Sequence, residues 1–98
     1  MITTAVSEAV ALLQSLIAIP SFSGEEEGTA AVIAHFLEQK GIPSHRHLNN
    51  IWAVNKHFQS EKPTLLLCSH HDTVRPNPSY TRDPFQPTIE NGRLYGLG

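Results

Sequence analysis

The fold is decided by the stretch Thr64-Leu65-Leu66-Leu67-Cys68-Ser69-His70-His71-Asp72-Thr73-Val74. Its apolar part is too short for a helix and is typical of a strand that is covered on both faces, as in the centre of an α/β sheet. We therefore predict a strand over residues 64–70. The polar residues that follow lie at the carboxyl end of this strand, where open α/β sheets bind their ligands.

Two helices are predicted before this strand. Between residues 4 and 18 the apolar positions recur every three or four residues, which indicates a helix with one face to bury. A second helix is predicted from Ser23 to Lys40, because Ser23 and Glu26 match the capping-box pattern. The glutamates at 25–27 are then interpreted as a solvated first turn, favoured by the helix dipole.

Patterns of period two predict two hairpins. Strands are expected near 43–48 and 51–57, joined by a turn at Asn49-Asn50, and a final hairpin is expected around Asn91-Gly92 within 88–95. Together these elements predict an α/β fold in which two helices pack on a mixed sheet. Trp52 is expected in the core.

Composition excludes several classes of protein. The 98 residues carry a net charge of −2, so neither a nucleic-acid surface nor an anionic-membrane surface is expected. The single cysteine, Cys68, fits a reducing compartment and is interpreted as a small core residue. Because we find no signal-peptide pattern and no apolar span, we expect a cytoplasmic protein.

Candidate chemistry centres on His70 and Asp72. Strand side chains alternate, so these two project to one side while His71 points to the other. A carboxylate beside an imidazole can accept its second N–H and orient the ring for a metal. The alternative, a His–Asp couple that activates Ser69, is disfavoured because Ser69 and His70 face opposite ways.

Other polar residues have plainer interpretations. His45 and His47 share a strand face and could bind nickel or zinc adventitiously, but surface positions are favoured. Arg75 and Arg82 could meet a carboxylate substrate, although solvated loop charges are the better interpretation. Asp83 is expected to cap a turn, with a place in the substrate cleft as the alternative.

Four ordered motifs resemble the N-terminal quarter of the dizinc amidohydrolase family, which includes acetylornithine deacetylase, succinyl-diaminopimelate desuccinylase, aminoacylase and carboxypeptidase G. The motifs are residues 19–26, 65–74, 83–87 and 91–98. The resemblance implies that residues 1–98 are the N-terminal fragment of a zinc-exopeptidase-like catalytic domain. The rest of that domain and a lid or dimerisation domain would lie outside it.

The resemblance also implies roles. His70 corresponds to a metal ligand and Asp72 to the acidic residue that orients it, in a site of two Zn²⁺ ions, with Co²⁺ as a possible substitute. The other ligands and the general-base glutamate lie further along the family's chains. The isolated 98 residues are therefore expected to be inactive and to hold no metal firmly.

The implied activity is amide hydrolysis of an N-acyl amino acid by a homodimeric protein. From His70 to Gly98 the sequence most resembles acetylornithine deacetylase, which places it in arginine biosynthesis, although N-succinyl and N-acetylcitrulline substrates fit equally well. The alternatives are a dipeptidase or carboxypeptidase of the same family, and a non-catalytic binding module on the same scaffold.

Overall fold

The computed structural model describes residues 3–98, which form two helices and two small antiparallel sheets. Helix α1 spans Thr4–Ile17 and helix α2 spans Glu27–Gln39. Strands β1 (Ser44–His47) and β2 (Asn50–Ala53) form the first hairpin. Strands β3 (Ile89–Glu90) and β4 (Arg93–Leu94) form the second. The α/β character is confirmed, but the mixed sheet was wrong.

The helices follow the predicted periodicity. The hydroxyl of Thr3 accepts a hydrogen bond from the Val6 amide and caps α1. An ion pair between Lys40 and Glu8 joins the end of α2 to α1. The capping box at Ser23 was wrong, because α2 begins at Glu27 and no side chain caps it.

The hairpins differ in how well the sequence predicted them. Asn91 and Gly92 both have positive φ angles, 52° and 74°, as a tight hairpin turn with Glu90 opposite Arg93 requires. In the first hairpin the register pairs His47 with Asn50, so the turn is Leu48-Asn49 rather than Asn49-Asn50.

The predicted central strand over 64–70 was wrong within the described residues. No strand is formed there, and the side chains of Leu65, Leu66 and Leu67 are 82, 79 and 86% exposed. The core expectations for Cys68 and Trp52 were also wrong, since Cys68 is exposed and Trp52 is half exposed. An apolar strand needs neighbours on both edges and both faces, and residues 3–98 do not supply them.

The chain is more open than a closed domain of its size. Its radius of gyration is 15.5 Å, against about 13 Å for a compact domain of 100 residues. Its accessible surface is 7779 Å², against about 5,500 Å² for a folded monomer of this mass. Among residues 3–98, no helix has the length and apolarity needed to cross a membrane.

Candidate metal-binding site

The structure brings His70 and Asp72 together on one side of the chain. The Nδ1 atom of His70 lies 2.9 Å from Oδ1 of Asp72 and 3.0 Å from its carbonyl oxygen. A backbone carbonyl oxygen only accepts, so Nδ1 donates the hydrogen, and Nε2 is the ring nitrogen left to bind a metal. The side chains are 76 and 38% exposed. They line an open cleft together with Phe22, Ser23, Thr73, Val74, Arg75 and Gly98.

Two extended segments hold the backbone next to this pair. The amide of Thr73 donates to the carbonyl of Ser21 at 2.7 Å, and Phe22 forms a parallel bridge with Thr73. On the opposite edge, the amide of Val74 donates to the carbonyl of Gly98 at 2.7 Å. The segment that carries the pair is therefore fixed from both sides.

The approach of the 96–98 segment depends on a glycine. A Cβ atom at Gly96 would lie 2.7 Å from Cδ1 and 2.8 Å from Cγ1 of Ile17, at the end of α1. A side chain at position 96 would therefore require the Ile17 side chain to move. The Gly-x-Gly motif is thus partly explained by packing of Gly96 against α1.

His71 points away from the cleft, as strand alternation predicts. Its Nε2 lies 2.8 Å from the carbonyl oxygen of Asn49, and its Nδ1 lies 2.7 Å from the hydroxyl of Thr29. Thr29 is fully buried and is in turn hydrogen-bonded to the buried hydroxyl of Ser21 at 2.7 Å. Both ring nitrogens of His71 are occupied by neighbouring elements.

Glu26 connects the segment before α2 to the first hairpin through hydrogen bonds. Its Oε1 accepts the Gly24 amide at 2.7 Å and its Oε2 accepts the side-chain amide of Asn49 at 3.1 Å. The bond from Gly24 is the main cause that lowers the pKa of the Glu26 carboxyl, and the bond from Asn49 acts in the same direction. Desolvation and, to a smaller extent, the charge of Asp72 oppose it. The interpretation of Glu26 as a merely solvated charge was incomplete.

A pH-dependent contribution to stability follows from Glu26. Because its folded-state pKa lies below the unfolded value, its stabilising effect is present above about pH 4.3 and is lost as the pH falls through the folded-state pKa. Glu26→Gln should therefore lower the free energy of unfolding near pH 7, and the difference from the wild type should shrink towards pH 3. Denaturant titrations between pH 3 and 7 measure it, with Glu38→Gln on the exposed face of α2 as the control. A constant difference across that range would contradict the expectation.

The donor set at the cleft fits one ligand of a metal site. His70 offers an unblocked Nε2 whose ring is already oriented by a carboxylate, which is the arrangement that metal-binding histidines adopt. Within residues 3–98 no group of three or more His, Cys, Asp or Glu side chains is placed to hold an ion. A zinc ion bound here would therefore take His70 from this chain and its other ligands from elsewhere.

The remaining candidates are not brought to the cleft as ligands. His45 stacks on Trp52 with ring centroids 5.5 Å apart. Arg82 lies over the ring of Tyr95 and pairs with Glu90, so its guanidinium is engaged in the second hairpin. Asp83 accepts the amide of Phe85 at 3.0 Å, which is the turn-capping role.

Arg75 lies nearer to the cleft. Its guanidinium lies over the ring of Phe22, 4.5 Å from the centroid, and 3.6 Å from a carboxylate oxygen of Glu25. Both partners come from the connection between α1 and α2. Arg75 contacts that connection while its side chain stays 70% exposed, in line with the interpretation as a solvated loop charge.

Sequence reasoning missed the residues that anchor the pair from behind, which are Ser21, Thr29 and Asn49. The available signal was the inward direction of His71, because a histidine turned towards the interior needs a partner for each ring nitrogen. Nothing in the local pattern identified which hydroxyl or carbonyl group would serve.

The chain has relatives among characterised proteins, although no family model matches it. It is 34% identical to the succinyl-diaminopimelate desuccinylase of Methylibium petroleiphilum over 92% of this chain and 26% of that protein. It is 41% identical to the enzyme of the same name from Xylella fastidiosa strain 9a5c, over 94% and 25%. For that of Thioalkalivibrio sulfidiphilus the identity is 36%, over 94% and 25%. The chain thus spans about a quarter of the length of these relatives.

The chain is thus similar to part of enzymes that are named desuccinylases. The relatives are named for the removal of a succinyl group from diaminopimelate. Their names do not support the finer resemblance to acetylornithine deacetylase, nor a place in arginine biosynthesis.

Proposed function

We propose that this chain contributes to the active site of a metal-dependent hydrolase that cleaves the amide bond of an N-acyl amino acid. The products would be a carboxylic acid and a free amine. The observation that carries the proposal is the His70–Asp72 pair, with Nδ1 bonded to the carboxylate and Nε2 open to the cleft. The desuccinylase relatives support the same chemistry.

Each residue of the pair has a distinct role in this proposal. His70 binds a zinc ion through Nε2, and Asp72 fixes the tautomer and raises the basicity of the ring. A pair of zinc ions, when bound, supplies Lewis acidity and an activated water at neutral pH. The remaining ligands and the general base belong to a longer polypeptide, as the length of the relatives favours.

Two substrate classes compete. The relatives' names favour an N-succinyl diamino acid, whereas the resemblance from His70 to Gly98 favours N-acetylornithine. A dipeptide is a third option within the same reaction class. We further propose that the complete polypeptide is a cytoplasmic homodimer that uses two Zn²⁺ ions per site, with Co²⁺ as a substitute.

The direct test is an assay of the complete polypeptide that contains these 98 residues. The protein is stripped with a chelator, reloaded with Zn²⁺ or Co²⁺, and given N-succinyl-diaminopimelate, N-acetylornithine and a dipeptide in parallel. Amine release should depend on the metal, and the ratio of kcat/KM values should rank the substrate classes. If no amide is hydrolysed with either metal, the hydrolase proposal fails and the non-catalytic binding module takes its place.

A further inference from the structure

His71 lies on the side of the chain opposite to the cleft, and both of its ring nitrogens are hydrogen-bonded. His71 lies between the two residues of the proposed metal-binding pair, yet its ring contacts two elements distant in sequence, Thr29 on α2 and Asn49 in the first hairpin turn. A backbone carbonyl only accepts, so Nε2 of His71 donates to Asn49. The Nδ1 atom of His71 lies 2.7 Å from the hydroxyl oxygen of Thr29, which is also 3.1 Å from the carbonyl oxygen of Glu26.

Thr29 is also connected, through Ser21, to the residue that follows Asp72. Ser21 shares a hydrogen bond with Thr29 through its hydroxyl and accepts the Thr73 amide through its carbonyl. The residues on both sides of Asp72 are therefore hydrogen-bonded to the interior. The side chain of His71 bonds to the buried Thr29, and the amide of Thr73 bonds to the buried Ser21.

The contact between His70 and Asp72 is too weak to fix the position of the two residues by itself. It is exposed, and a typical hydrogen bond contributes only about 0.5–1.5 kcal/mol. Asp72 orients the ring relative to itself, but this bond does not fix the backbone that carries both residues. The hydrogen bonds of His71 are part-buried and end on the fully buried Thr29, where the loss of a partner costs about 1–3 kcal/mol. The orientation of the pair must therefore come from the interior side.

We propose that His71 is a positioning residue for the metal site. By clamping the backbone between residues 70 and 72 to α2 and to the first hairpin, it sets the direction in which Nε2 of His70 points into the cleft. This inference rests on the proposed function, since it concerns how the proposed ligand is aimed. It assigns His71 no contact with metal or substrate.

Three substitutions of His71 remove one or both of its hydrogen bonds. His71→Asn places an amide near the position of Nδ1 and can keep the bond to Thr29, while His71→Gln places one near Nε2 and can keep the bond to Asn49. His71→Leu loses both. His57→Leu is the matched control, because His57 is exposed and lies away from the cleft.

The measurement is Co²⁺ binding to the complete polypeptide, followed by the visible absorption of the ion, together with kcat at saturating Co²⁺. We expect Co²⁺ affinity to fall about 10–100-fold in His71→Leu, the range seen when the support of a ligand is lost. The absorption spectrum should change as well. His71→Asn and His71→Gln should lie between His71→Leu and the wild type, and His57→Leu should match the wild type.

The outcomes separate this inference from the proposed function. If the wild type binds Co²⁺ and hydrolyses an amide while the His71 variants keep its affinity and spectrum, the positioning role is overturned, even where their melting temperatures fall. If the wild type itself shows no metal-dependent hydrolysis, the proposed function fails and the positioning role falls with it. Should His71→Leu not fold, the Asn and Gln variants, each with one bond retained, decide the question by the same readouts.

Discussion

Replacing His70 with alanine should abolish metal-dependent hydrolysis by the complete polypeptide. Among residues 3–98, His70 is the histidine that lines the cleft beside Asp72, and a catalytic zinc needs each of its few protein ligands. The loss in kcat/KM should exceed the roughly 100-fold that removal of an orienting partner costs. Steady-state kinetics and the metal content of the purified protein measure both consequences.

The matched comparison is Asp72→Asn. An asparagine can still accept from Nδ1 of His70 but carries no charge, so it should cost about 10–100-fold in activity or metal affinity. His47→Ala, on the exposed part of β1, should leave both unchanged. A His70→Ala protein with its metal content intact and turnover within tenfold of the wild type would show that His70 is not a ligand.

The second large effect concerns the three exposed leucines at 65–67. In a strand, Leu65 and Leu67 would face one side and Leu66 the other, so a sheet built around them would bury both sides. A buried leucine contributes about 1.5–3 kcal/mol, and a charge in its place adds a desolvation cost. We expect Leu66→Asp to lower the stability of the complete polypeptide by more than about 3 kcal/mol.

In the isolated 98-residue chain the same substitution should not lower stability. Leu66 is solvated there, so the charge should leave folding unaffected and reduce self-association through the exposed apolar segment. Melting temperature and size-exclusion chromatography of both polypeptides measure the contrast. Leu48→Asp is the control, because Leu48 sits at the tip of the first hairpin with a φ of 55°, a conformation that Asp tolerates. Equal effects of the two substitutions in the complete polypeptide would contradict a covered 64–70 segment.

Local patterns predicted the elements that local forces make. The helical periodicity between residues 4 and 18 corresponds to α1, and Asn91-Gly92 forms the turn of the second hairpin. The other predictions failed because they depend on contacts between residues that are distant in sequence. Glu26 is bonded to Asn49 rather than closing a capping box with Ser23, and an apolar run such as 64–70 carries no information on whether strands are present to pair with it.

The candidate site divides in the same way. Strand alternation placed His70 and Asp72 together and turned His71 from them, because that depends on three consecutive residues only. The partners of His71 lie 42 and 22 residues away, at Thr29 and Asn49. No spacing rule identifies them, and they become visible only when α2 and the first hairpin are packed.

The exposed thiol of Cys68 offers a way to observe assembly directly. It is the only cysteine of the 98 residues and lies next to the leucines at 65–67. Its rate of alkylation by a maleimide, read by mass spectrometry of the peptide that contains it, should be fast in the isolated chain. A slow rate in the complete polypeptide would show that the rest of the protein covers this segment.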